Sequence, residues 1–236
     1  MKTFKITAMI IFCLALSLVT QVVKAEKIEF DESKIWIEIN DTDGDSGLQM
    51  KLDGEGWKSV KIFDPKGKKI FQVKGLKGVK KTGLTELFFE SAEPGFDELP
   101  LAEFLKRFPE GTYKFRGRSV EGDKMRGSAT LSHTLPDAPA GNSPAEDSVQ
   151  NPANTVITWQ SVTNPTGSQI TKYEVIVEED GDQDDPRSIS AILPPSATSF
   201  TVPPEFLASG EDYKYEIVAT ETSGNRTLVE VPFKTS

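Results

Sequence analysis

Short alternations of apolar and polar residues recur along most of the chain, and this period of two constrains the fold more than any other feature. A strand with this pattern buries one face and leaves the other in water. Turn residues separate the alternations, at the roughly 8 to 12 residue spacing that is typical of two-sheet sandwiches. The sequence therefore predicts an all-β fold with strands near residues 35–39, 48–52, 60–63, 69–73, 156–159, 170–177 and 213–219.

Turn signals divide the strands of the first part of the chain at Asp43-Gly44, Asp53-Gly54 and Asp64-Pro65-Lys66-Gly67. Glycine supplies a positive φ at such points, and proline presets the turn. One short helix interrupts the strand pattern, because residues 100–108 place apolar side chains at i, i+3, i+4 and i+7 behind a proline. The proline at position 109 ends this helix.

A chain of 236 residues is long enough for two cores, since one core usually serves roughly 100 to 150 residues. The prolines and small residues of 136–144 form a stiff, extended connection. We therefore predict one β-sandwich at 26–135 and a second at 136–236, set end to end.

The first 25 residues have the order of a secretory signal peptide. Lys2 and Lys5 precede an uncharged, largely apolar run at 6–23, and Val23-Lys24-Ala25 resembles a cleavage site. The run also approaches the roughly 20 apolar residues that cross a bilayer, so an uncleaved anchor is the alternative. The prediction is a signal peptide at 1–25, a secreted or periplasmic protein and no stable membrane span after cleavage. The single cysteine, Cys13, falls in this segment, which leaves the mature chain without thiol chemistry.

The second half resembles a fibronectin type III domain in the placing of Trp159, Tyr173, Leu207, Gly210 and Tyr213. The resemblance implies that Trp159, Tyr173, Leu207 and Tyr213 have structural roles, with the Tyr213 hydroxyl in a tyrosine corner. A Gly-Thr-Tyr strand followed by a hairpin near residue 112 is similar to the closing strands of bacterial immunoglobulin-like modules. Both halves are thus expected to be immunoglobulin-like sandwiches.

The residue inventory excludes several chemistries. With one histidine, His133, and no cysteine in the mature chain, a zinc site is not expected. No glycine-rich phosphate loop joins a strand to a helix. Without residues 1–25 the chain has 24 Lys and Arg against 36 Asp and Glu, so its net charge is 24 minus 36, or −12. That balance argues against a nucleic-acid partner.

The acidic turn at residues 40–45 is the candidate metal site. Asp41, Asp43 and Asp45 stand at alternate positions, and carboxylates arranged in this way can converge on Ca²⁺. The alternative is a polar turn held by Asx hydrogen bonds. Calcium is the one cofactor that this sequence suggests. A second acidic run, at 178–185, is predicted to be a solvated loop.

A lysine-rich stretch is the candidate binding surface. Between Trp57 and Lys81 there are nine lysines and one acid, Asp64. Strands place alternate side chains on one face, so Lys61, Lys68, Lys69 and Lys74 are predicted to form a patch for an acidic polysaccharide or an acidic protein. The alternative is that these lysines only protect a sheet edge from aggregation.

The function that these features predict is that of a non-enzymatic exported protein. Its tandem β-sandwich modules would engage a protein or glycan partner at the cell envelope. The alternatives are a carboxylate-dependent enzyme acting on extracellular polymers and a calcium-stiffened spacer.

Overall fold

The structure, a computed structural model, describes residues 27–181 and 185–236. The predicted signal peptide and residues 182–184 of the second acidic run lie outside the described residues. Among the residues that are described, no helix has the length and apolar character needed to span a bilayer.

Strands make up most of the described chain, as the period of two predicts. The helices are α1 (Lys77–Thr82) and α2 (Leu101–Arg107), with a 3₁₀ turn at Pro152–Asn154. The strands are β1 (Lys27–Glu29), β2 (Glu32–Asn40), β3 (Asp45–Phe63), β4 (Lys69–Lys74), β5 (Leu84–Glu90), β6 (Gly111–Ser119), β7 (Lys124–Leu131), β8 (Ala140–Ser143), β9 (Val149–Gln150), β10 (Val156–Gln160), β11 (Ile170–Glu179), β12 (Ser188–Leu193), β13 (Ser199–Thr201), β14 (Asp212–Glu221) and β15 (Arg226–Thr235).

The predicted helix is confirmed as α2, and a second helix was not predicted. Pro100 stands at the N-cap position of α2, and Phe104 is the buried residue of the helix. The ring of Phe104 lies 5.0 Å from that of Phe108, so the apolar side of α2 covers the first core. Helix α1 was not predicted because it buries no residue, so its sequence has no apolar side chains at helical spacing.

The predicted turn at Asp53-Gly54 is wrong. Strand β3 runs through it without reversing, and its register shifts between Asp53 and Trp57. Before this point β3 pairs with β2 and β5, and after it with β4 and β6. Gly54 serves close packing here, since a Cβ at that position would stand 3.1 Å from the Phe30 ring. The glycine therefore permits a bend that carries one strand from the first sheet layer to the second.

The core of the first half lies between these two layers. One layer contains β2, the start of β3 and β5, and the other contains β4, the end of β3, β6, β7 and β1. Their inward side chains form one buried cluster in which Trp57, Ile37 and Tyr113 are fully enclosed.

The second half is a sandwich of two sheet layers. Strands β8, β10 and β13 form the first layer, and β12, β11, β14 and β15, with the short β9 beside β15, form the second. Their buried side chains form a cluster separate from that of the first half. The boundary at residues 135 and 136 itself stays a prediction.

The four residues predicted to be structural all belong to this second core. The rings of Trp159 and Tyr173 lie 5.3 Å apart, and Leu207 is buried in the same cluster. The backbone N–H of Ala208 donates to the Tyr213 hydroxyl at 2.9 Å. A comparable contact that the sequence did not suggest occurs in the first half, where the Tyr113 hydroxyl donates to the Pro109 carbonyl at 3.0 Å. Burial raises the pKa of Tyr113 to about 12.

Replacing Tyr213 by phenylalanine should lower the free energy of unfolding by about 1 to 3 kcal/mol. The ring would remain packed, but the N–H of Ala208 would lose the oxygen that accepts from it. Denaturant unfolding of the two proteins measures the difference. An unchanged free energy of unfolding would show that this hydrogen bond does not contribute to the stability of the corner.

The two halves are joined by more than the predicted linker. The start of β15 pairs in parallel with the end of β2, so that Arg226 lies opposite Glu38 and one sheet continues through both halves. Asn225, which is fully buried, accepts from the Ile37 N–H at 2.8 Å. Its side-chain amide donates to the carbonyls of Ser132 and Thr134 at 2.9 and 2.8 Å. We call these contacts the joint; they hold the halves in one orientation.

Candidate binding surface on the first half

Basic side chains share the outer face of the layer formed by β4, the end of β3, β6 and β7. All of them are exposed. We call this surface the basic face, and it consists of Lys61, Lys69, Lys74, Lys114, Arg116, Arg118, Lys124 and Arg126.

Strand register brings these residues together. Lys61 of β3 lies opposite Arg116 of β6, which lies opposite Arg126 of β7. Neighbouring strands stand about 4.8 Å apart, so this row of three cations spans about 10 Å. Along β6 the alternate residues Lys114 and Arg118 project to the same side as Arg116. The result is a grid of positive charge.

Few contacts within the protein neutralise the positive charge of the basic face. The Arg116 guanidinium lies 4.8 Å from the centre of the Phe63 ring, a cation–π contact that holds it in place without neutralising it. Lys61, Arg116 and Arg126 take no part in the ion pairs formed within residues 27–181 and 185–236. A groove of about 310 Å³ runs past Lys114, Arg116 and Arg126, with Glu29 as the acid on its wall.

The sequence identified part of this surface. Lys61, Lys69 and Lys74 lie on the basic face, where the Lys69 ammonium donates to the Gln72 side-chain carbonyl at 2.9 Å. Lys68 lies instead in the turn between β3 and β4, where its backbone N–H donates a hydrogen bond to Asp64 Oδ1 at 2.7 Å. The members from β6 and β7 were missed, because they are about fifty residues away in the chain. The alternation of cations at 114, 116 and 118 was the signal that could have found them.

Charge is divided unevenly between the halves. Residues 27–135 contain 19 basic and 19 acidic residues, so their net charge is zero. Residues 136–236 contain 5 basic and 16 acidic residues, a net charge of −11. The basic face therefore stands out on a neutral half, beside a half that repels anions.

The predicted calcium loop forms the turn between β2 and β3. Asn40 Oδ1 accepts from the backbone N–H groups of Thr42 and Asp43 at 3.0 and 3.2 Å, and the Asn40 amide donates to Asp43 Oδ2 at 2.9 Å. These are the Asx hydrogen bonds of the alternative interpretation. Asp41, Asp43 and Asp45 are absent from the carboxylate groups that could hold a metal among the described residues. Calcium at these residues stays a prediction.

A different set of carboxylates does converge. One oxygen each from Glu38, Glu90 and Glu93 lies within 4.8 Å of the others. The Gln49 amide donates to both Glu38 and Glu90, and Glu38 forms an ion pair with Arg226 across the joint. Protein groups thus already contact Glu38 and Glu90. Burial, followed by the nearby charge of Glu90, raises the pKa of Glu93 to about 7.

The raised pKa of Glu93 predicts a pH dependence of stability. Its ordinary pKa is 4.5, so between about pH 4.5 and 7 the folded state binds more protons than the unfolded state, and stability falls as the pH rises through this window. Because solvent screens the exposed Glu93, we expect an effect of at most about 1 kcal/mol.

Denaturant unfolding at a series of pH values from 4 to 8 measures this effect, with Glu93→Gln as the test and the exposed Glu205→Gln as the control. The Glu93→Gln protein should lose this part of the pH dependence, and the Glu205→Gln protein should keep it. A Glu93→Gln protein with the wild-type pH profile would contradict the assignment.

Comparisons with known proteins add little to this picture. No family model and no curated protein matches the sequence. Among solved structures, the FN1–FN3 domains of chicken CNTN1 align with 88% of this chain and 68% of theirs, at 11% identity and a TM-score of 0.35. That similarity is too low to support an argument.

The fold assignment rests instead on the strand pairing. Both halves enclose a core between two sheet layers, and the second half packs three strands against a larger antiparallel layer, an arrangement found in immunoglobulin-like domains. The described chain is an all-β protein of immunoglobulin-like sandwiches.

Proposed function

We propose that this protein is a non-enzymatic, exported binding module that holds an acidic polysaccharide of the cell envelope on its basic face. The observation that carries the proposal is the row of Lys61, Arg116 and Arg126 across three adjacent strands. A regular grid of cations suits a polymer that repeats its negative charge at short intervals. Guanidinium groups also bind carboxylate and sulfate oxygens in pairs.

A polysaccharide suits this surface better than a folded protein. Protein interfaces depend on a central cluster of large apolar or aromatic anchors. The layer that bears the basic face lacks such a cluster among the described residues. Its large exposed apolar side chain is Ile70 of strand β4, which is 39% exposed. Phe63 is half-buried beneath Arg116. Binding would therefore be mainly electrostatic.

Two of the side chains that could serve in catalysis, the single histidine and Glu38, have partners within the protein. The single histidine is held by its ring nitrogen, Nε2, 2.8 Å from the Phe108 carbonyl. Glu38 is engaged with Arg226 and Gln49, as described above. The net charge of −11 on the second half would direct a polyanion towards the first half.

The test is equilibrium binding of the purified protein to alginate, a polyuronate, with neutral dextran as the blank. The test variant combines Lys61→Glu, Arg116→Glu and Arg126→Glu. The control combines Lys106→Glu, Lys172→Glu and Lys234→Glu, which makes the same change of net charge away from the basic face. We expect about a tenfold or greater loss of affinity in the test variant, equivalent to about 1.4 kcal/mol, and little change in the control.

Two results would contradict the proposal. Equal losses in both variants would show that only net charge matters. Unchanged binding of the test variant would show that the polymer binds elsewhere. Circular dichroism of each variant establishes that the sandwich remains folded.

A further inference from the structure

The segment that follows β4 presents apolar side chains to solvent. Every residue from Leu76 to Thr82 is exposed, and α1 buries none of its residues. Leu76 is 67% exposed and Val79 is 49% exposed. A surface helix normally buries an apolar stripe against its own domain. Since the described fold does not cover Leu76 and Val79, they remain available to a partner.

Lysines flank these two apolar residues along the chain, at positions 77, 80 and 81. A depression of about 530 Å³ is lined by Lys58, Lys77, Lys80, Lys81 and Val120, without an acidic side chain in its lining. The Lys58 ammonium is fixed there by a 3.2 Å hydrogen bond to the Val120 carbonyl. We call Leu76–Thr82 together with Lys58 the lysine tip.

We propose that the lysine tip docks onto the surface of an anionic phospholipid bilayer. Leu76 and Val79 would enter the headgroup boundary, and the lysines around them would face the lipid phosphates. Peripheral membrane binding requires this combination, because apolar insertion or a few cations alone gives only weak attachment. An acidic polysaccharide would satisfy the lysines but would leave Leu76 and Val79 in water. The bilayer is therefore the partner that fits both features.

This site is separate from the basic face. The two sites have different linings: Lys58, Lys77, Lys80, Lys81 and Val120 line the depression of the lysine tip, whereas the groove of the basic face passes Lys114, Arg116 and Arg126. A protein attached through the lysine tip would keep its basic face free. The inference therefore goes beyond the polysaccharide binding proposed above.

Vesicle flotation tests the inference, using phosphatidylcholine vesicles and vesicles of equimolar phosphatidylcholine and phosphatidylglycerol. The wild-type protein should float with the anionic vesicles only. Lys77→Glu combined with Lys80→Glu and Lys81→Glu should reduce this binding by about tenfold or more. Leu76→Ser combined with Val79→Ser should also weaken it, because the apolar contribution is lost. The basic-face variant should float as the wild type does.

Three results would overturn the inference. They are equal binding to both kinds of vesicle, full binding by the serine variant, or loss of alginate binding rather than vesicle binding by the lysine-tip variant. All substituted positions in the tip are exposed, and circular dichroism verifies that the variants are folded.

A second measurement does not depend on charge reversal. A Leu76→Cys protein carrying an environment-sensitive fluorophore should show a blue shift with anionic vesicles, as the probe leaves water. The same probe on Ser199→Cys, in β13 of the second half, is the control and should not shift. No shift at position 76 while the protein is bound would also contradict insertion.

Discussion

An Asn225→Ala protein is expected to lose about 3 to 5 kcal/mol of its free energy of unfolding. The Asn225 side chain is fully buried and hydrogen-bonds three backbone groups of the first half and the connection that follows it, Ile37 N–H and the carbonyls of Ser132 and Thr134. Each buried polar group left without a partner costs about 1 to 3 kcal/mol. The loss would be concentrated in the joint.

Denaturant unfolding measures the Asn225→Ala effect, and the exposed Asn154→Ala serves as the matched control, with an expected change below about 0.5 kcal/mol. Small-angle scattering of the folded protein adds a second readout, since a joint that opens before unfolding would increase the radius of gyration. A change below about 1 kcal/mol with unaltered scattering would show that Asn225 does not lock the halves together.

A Trp159→Ala protein is expected to lose about 3 to 5 kcal/mol of its free energy of unfolding. Trp159 is 4% exposed and packs against Tyr173 at the centre of the second core. Alanine would leave a cavity there that a close-packed sandwich cannot refill. Against a usual total stability of about 5 to 15 kcal/mol, this loss could unfold the second half at ordinary temperature.

Trp36→Ala is the matched control for Trp159→Ala. Trp36 is half-buried, and its ring contacts the Arg226 guanidinium at 5.2 Å and the Phe88 ring at 6.3 Å. Its contact with Arg226 is worth about 1 kcal/mol, and since the ring is only half-buried its removal should cost clearly less than that of Trp159. Calorimetry compares the two proteins. Similar losses for the two tryptophans would contradict the central place of Trp159 in the second core.

The strands could be predicted because each depends on a local pattern. Alternation predicted β2, β10, β11 and β14 near their observed positions, and the i, i+3, i+4, i+7 spacing predicted α2. Two elements were not predicted correctly. Asp53-Gly54 has the composition of a turn, but Gly54 instead permits a bend within β3. Helix α1 buries no apolar residue, so the sequence carries no helical period there.

The joint and the full basic face could not be predicted in the same way. Asn225 meets Ile37 across 188 positions of sequence, and no period in either segment records that pairing. Lys61 and Arg116 are neighbours through the register of β3 and β6, which becomes visible only when the strands are paired. The lysine-rich stretch was visible in sequence, but its division between a sheet face and an exposed helix was not.

The salt dependence of alginate binding tests the central claim most directly. If the cations of the basic face replace small counterions on the polymer, the logarithm of the association constant falls linearly with the logarithm of the NaCl concentration. Changing Lys61, Arg116 and Arg126 to glutamate should make that slope shallower by about 2 to 3, because three charge contacts are removed. A variant slope equal to that of the wild-type protein would contradict binding at this face.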